Sequence, residues 1–231
     1  MILYDGFIKD IEALVHACDS VFPYSEPALK DAPKSNIMLL KDTAFELGGS
    51  SQPNVSTLAV SSDMHFDNCT YLIGQDLYTI KRDCAFGKIV LLEIADVSED
   101  EAFEKIKELE LVRYKYCPEG FMTRASALSM REQIRVGKKT VNKKISFKEY
   151  GNFLIKKYLS FPLVKSVKVV FITGDFDYTS LSVISEKIKS TTGALNHIFD
   201  NILFDCNSCN LKEICDEVEG MKELHRKTVQ K

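Results

Sequence analysis

Two stretches of this chain leave little choice of architecture. Lys88 to Ile94 is apolar almost throughout, and Val164 to Thr173 carries β-branched residues at the density of a central strand. A strand with one wet face alternates apolar and polar residues; Lys88 to Ile94 does not, so both of its faces should be covered. With 231 residues, 45% of them hydrophobic, there is enough chain for one large domain or two small ones around a sizeable core.

The remaining pattern supplies the covering layers. Tyr4 to Ala17 places Phe7, Ile8, Ile11, Leu14 and Val15 on one helical face. After the prolines Pro23, Pro27 and Pro33, short strands are predicted over Ile37 to Leu40 and Thr57 to Val60, separated by a turn at Gly48-Gly49, and another over Thr70 to Ile73. Ser98 with Glu101 reads as a capping box ahead of a helix whose buried stripe is Phe103, Ile106 and Leu109. Val112 to Tyr116 and Phe121 to Ala125 read as an antiparallel pair around Cys117-Pro118-Glu119-Gly120. Ser129 with Glu132 and Ser146 with Glu149 read as the starts of two consecutive helices, the second turning Phe147, Tyr150, Leu154 and Tyr158 inward until Pro162. A helix over Ser180 to Lys189, a strand over Asn201 to Phe204 and a terminal helix from about Asn210 follow. The expected fold is α/β, a mixed β-sheet flanked by helices, with a C-terminal cysteine-bearing helical segment.

A formal charge of -3 with both signs interspersed gives no field that would draw nucleic acid or an anionic membrane. No basic stretch precedes an apolar one at the N-terminus, and no apolar run is long enough to span a bilayer, so the expected location is the cytoplasm. Seven cysteines, an odd number, argue for thiols that are buried, reactive or metal-bound rather than for a disulfide framework. Cys18, Cys69, Cys84 and Cys117 stand apart and read as small core residues.

Three cysteines do cluster. In Asp-Cys-Asn-Ser-Cys-Asn-Leu-Lys-Glu-Ile-Cys, the C-x2-C pair Cys206 and Cys209 and a third thiol at Cys215 gather the soft donors that zinc or iron–sulfur iron prefers. A fourth ligand is missing at any usual spacing, and Cys215 falls in phase with Leu211, Val218 and Met221, so core packing and a redox-active pair remain alternatives. A second candidate is cationic: on a helix, Arg131, Arg135, Lys138 and Lys139 would share one face able to bind phosphate or carboxylate, or simply to meet water. His16 reads as structural, and His65 between Asp63 and Asp67 as a solvated turn with weak metal potential. No hydrolase or nucleotide-loop signature occurs.

Leu72-Ile73-Gly74-Gln75-Asp76-Leu77, the run Ala85 to Ile94, and Arg131 to Lys138, in that order ahead of the C-x2-C, resemble one region of acetyl-CoA synthase, the beta subunit of the CO dehydrogenase/acetyl-CoA synthase complex. The similarity runs from about Phe45 to Cys215 and looks like the family's middle domain entering its metal-bearing domain. That family makes acetyl-CoA from CO, a corrinoid-delivered methyl group and coenzyme A, at nickel bridged to a [4Fe-4S] cluster. The resemblance implies that Cys206 and Cys209 match the first two cluster thiolates and Cys215 the third, and that Arg131, Arg135 and Lys138 could meet the phosphates of coenzyme A. The fourth thiolate and the nickel-binding Cys-Gly-Cys segment do not occur in the sequence, and Gln133 stands where family members carry a tryptophan associated with coenzyme A.

The expectation is therefore an α/β domain over 1–200 with a cysteine-containing segment, 201–231, packed on it. It would act as a binding or accessory module with an iron–sulfur cluster or zinc and without complete acetyl-CoA synthase activity. A CO dehydrogenase or corrinoid-protein type of partner is implied, and a homo-oligomer is compatible. The alternatives are a thiol-based redox or acyl-transfer enzyme using the C-x2-C pair, and a metal-free structural protein.

Overall fold

In the computed structural model, residues 2–33, 37–49, 51–126, 131–199, 209, 211–218 and 220–221 are described. The chain opens with α1 (Asp5–Leu14), an edge strand β1 (Ser20–Pro23), β2 (Thr43–Leu47), β3 (Asn54–Ser61), β4 (Cys69–Ile73) and β5 (Phe86–Ile94). It continues through α2 (Glu99–Glu110), α3 (Val112–Lys115), β6 (Phe121–Ser126), β7 (Arg131–Gly137), α4 (Lys138–Asn142) and α5 (Phe147–Leu159). Strand β8 (Val164–Ile172) and helices α6 (Tyr178–Phe199) and α7 (Lys212–Glu217) complete the described elements.

Two sheets form. The larger has the order β1-β4-β8-β5-β3 and the smaller β2-β7-β6. Strand β8 lies at the centre of the larger sheet, parallel to β4 and antiparallel to β5, and β3 runs parallel to β5. Lys88 to Ile94 receives the cover it demanded, and the expected central strand is buried as well: β5 and β8 are buried along nearly their whole length. On one face Lys168 of β8 reaches Glu12 of α1, and α6 joins α1 there through a hydrogen bond between Tyr4 and Thr192. On the other face sit α5 and the small sheet, joined to β8 by a column of rings: Phe121 of β6 on Tyr150 (4.8 Å), and Tyr150 on Phe171 (5.3 Å). Helix α5 lies so close to β4 that a Cβ on Gly151 would overlap the Thr70 hydroxyl, which is why a helix-weakening residue is found mid-helix. Among the described residues no helix is long and apolar enough to cross a membrane.

The capping box at Ser146 and Glu149 forms reciprocally, and Phe147, Tyr150, Leu154 and Tyr158 are buried as expected. At Ser98 the hydroxyl donates to the Glu101 carboxylate (3.2 Å) but no side chain caps the backbone, so the reciprocal capping box expected there does not form. Three expectations are corrected. Ile37 to Leu40 is not a strand but an extended lead into a 3-10 turn, Leu40–Asp42, ahead of β2. Val112 to Tyr116 forms α3, because Val112 is driven into the core at the end of α2, and β6 pairs with β7 instead. Arg131 to Gly137 is a strand, not a helix: Glu132, Ile134 and Val136 alternate inward and both backbone edges are paired, with β2 and with β6. Ser129 and the strand expected over Asn201 to Phe204 lie outside the described residues.

Candidate functional site

Cys206 lies outside the described residues, so the cysteine site is seen through Cys209 and Cys215. Cys209 stands just before α7; its sulfur accepts the Leu211 N–H (3.5 Å) and its carbonyl accepts from Lys212 (3.2 Å). Cys215 lies on α7 and is half-buried, while Ile214, Val218 and Met221 of the same segment enter the common core. Among the described residues no group of three His, Cys, Asp or Glu side chains is gathered for a metal. Three thiols apart from this segment, Cys69, Cys84 and Cys117, are poor nucleophiles. Burial raises Cys69 and Cys117 above the ordinary thiol value, and pushes Cys84 up to about 11.

The cationic residues keep a common face for a different reason than helical spacing. In a strand every second residue points the same way, so Arg131, Gln133 and Arg135 form the outward row of β7. Arg131 is exposed. Arg135 is engaged, donating from Nε to Glu46 (2.6 Å) and from Nη1 to the Met38 carbonyl (3.2 Å), and Lys138 donates to the Lys41 carbonyl (2.7 Å). His65 meets neither aspartate; it pairs with Glu93 at 2.7 Å, and that carboxylate also accepts from Ser166 (2.6 Å). His16 lies beyond α1 and bonds the Ala13 carbonyl at 2.6 Å.

Sequence reasoning missed a buried ion pair. Lys88 of β5 and Glu132 of β7 form an ion pair between the two sheets, with side chains 4% and 1% exposed. Ser56 of β3 donates to the other Glu132 oxygen at 2.9 Å, and the Glu132 N–H donates to Asn54 at 3.2 Å. Burial pulls the Lys88 ammonium below its ordinary value, and Glu132 draws it partly back. Cys117 and Tyr150 border the pair closely enough that Glu132 opposes the ionisation of each. The signal was present: a lysine inside a run covered on both faces has to find a carboxylate.

A model of the CO dehydrogenase/acetyl-CoA synthase complex beta subunit family matches residues 36–177. The chain belongs to this family. The matched stretch contains β2 to β8, and with them the whole small sheet, the Lys88–Glu132 pair and the cationic row of β7. It stops before the cysteine segment. No curated protein matches the chain.

Proposed function

We propose that this chain is a binding module of the acetyl-CoA synthase beta-subunit family that holds a metal at Cys206, Cys209 and Cys215 and serves a CO dehydrogenase or corrinoid-protein type of partner. On this reading it lacks complete acetyl-CoA synthase activity by itself. One observation carries the module reading: the family match covers the two-sheet body from β2 to β8. The donor chemistry supports the metal. Cys209 is half-exposed and accepts a backbone N–H at sulfur, and cysteine sulfur suits iron–sulfur iron or zinc. The outward row of Arg131 and Arg135, with Lys138, is the proposed contact for the phosphates of coenzyme A, with Arg131 and Lys138 exposed and Arg135 half-buried.

Anaerobic purification followed by iron, zinc and acid-labile sulfide analysis tests the metal. Iron with matching sulfide and a broad visible absorbance, or stoichiometric zinc, is expected, and Cys209→Ser should lower the content. Metal-free protein with a thiol that alkylates rapidly at neutral pH would replace this reading with the thiol-based one. Coenzyme A binding is read by calorimetry, where Arg131→Ala should weaken it by about tenfold, the scale of one charge-assisted phosphate contact.

A further inference from the structure

The segment before β2 combines two properties that rarely coincide. Its backbone is pinned: Met38 N–H donates to the Met122 sulfur (3.3 Å), Arg135 donates to the Met38 carbonyl, and the Leu39 carbonyl accepts from both Asp42 N–H (3.0 Å) and Thr43 Oγ1 (3.0 Å). Yet Ile37, Leu39 and Leu40 face outward at 79%, 52% and 71% exposure. Three large apolar side chains held outward on a fixed backbone make a preorganised contact, since little ordering entropy is left to lose on binding.

The surroundings are basic. Cys84 is bridged in parallel to Leu47 and Asp83 accepts the Glu46 N–H (2.7 Å), so Lys81 and Arg82 immediately precede the segment that meets β2. With Lys41 and Lys139 they are four exposed cations that enter no ion pair among the described residues, offset locally by Asp42 and Asp83.

The opposite chemistry is found on the same chain. A cleft of about 460 Å³ lies along α1, where Ile2, Leu3 and Phe7 give apolar walls and Asp5, Asp10 and Asp63 give negative charge, offset by Lys9. Helix α1 covers one face of the large sheet and the small sheet covers the other, so one chain cannot insert its own loop into its own cleft. We propose that the Ile37–Leu40 loop docks into the α1 cleft of a second copy, a head-to-tail contact joining apolar to apolar and basic to acidic. Because the two surfaces lie on opposite faces of the large sheet, two copies cannot exchange both contacts at once, so the contact is heterologous and continues past the dimer, to a ring or a filament. This inference does not depend on the metal or on coenzyme A.

Sedimentation over a wide concentration series, with reductant present, tests it. The average mass is expected to rise beyond that of a dimer and to fall with added salt. Leu40→Asp should weaken association, as should Lys41→Glu with Lys139→Glu, or Asp10→Lys with Asp63→Lys, each by about tenfold or more. Both charge reversals in one chain should restore it, and circular dichroism confirms that each variant is folded. A protein that stays monomeric, one that stops at a symmetric dimer, or association indifferent to these reversals would each overturn the proposal.

Discussion

At the scale of single residues, the Lys88–Glu132 pair decides how the two sheets meet. Removing one partner leaves the other charge buried and uncompensated, whereas replacing both with apolar side chains of similar size removes the desolvation cost along with the attraction. Lys88→Met is therefore expected to cost about 3–5 kcal/mol and Lys88→Met with Glu132→Leu much less, read by urea denaturation. If both variants lose the same amount, the pair is not a coupled unit. Ser56 and Asn54 would remain in the double variant as polar groups without Glu132, so the recovery is expected to be partial.

At the scale of elements, α5 is held by its N-terminal cap and by contact with β4. Ser146→Ala removes a side-chain bond to the Glu149 N–H and should cost about 1 kcal/mol. Gly151→Ala would gain about 1 kcal/mol of helix propensity if α5 were isolated. Here the new methyl meets Thr70, and overpacking of about 1–3 kcal/mol should win. The Thr70 hydroxyl is buried without a hydrogen-bond partner among the described residues, so Thr70→Ala alone should be nearly neutral and should rescue part of the Gly151→Ala loss; purely additive thermal shifts would refute the contact.

The same scale explains what could be read in the sequence. Strand β5 was legible because burial on both faces removes alternation, and β8 because of its β-branched density. Strand β7 was not, because residues four apart share a face in a helix and in a strand alike, so the spacing of Arg131 and Arg135 fits both. Only the inward alternation of Glu132, Ile134 and Val136 separates them, and its first member is charged. That charge became intelligible once Lys88 was found opposite it, a pairing 44 residues apart that no local period carries.

For the whole molecule, the tyrosines set an alkaline limit. Tyr4, Tyr150 and Tyr158 are buried, and Tyr178 partly so; in each, burial is the largest cause raising the phenol above its ordinary value, and a neighbouring carboxylate adds to it. The unfolded chain releases these protons near pH 10 while the folded chain keeps them, so above that pH the folded state binds more protons and stability falls as pH rises. Lys88 acts in the opposite sense, since its lowered value makes stability rise with pH up to the ordinary lysine range, but it is one group against four. Titration from neutral to strongly alkaline pH should show tyrosinate absorbance from these side chains rising together with the loss of helical circular dichroism, in one cooperative step beginning near pH 10. Complete tyrosine ionisation while the circular dichroism remained native would mean that the core around α5 and α1 admits water, against the burial of Tyr4, Tyr150 and Tyr158.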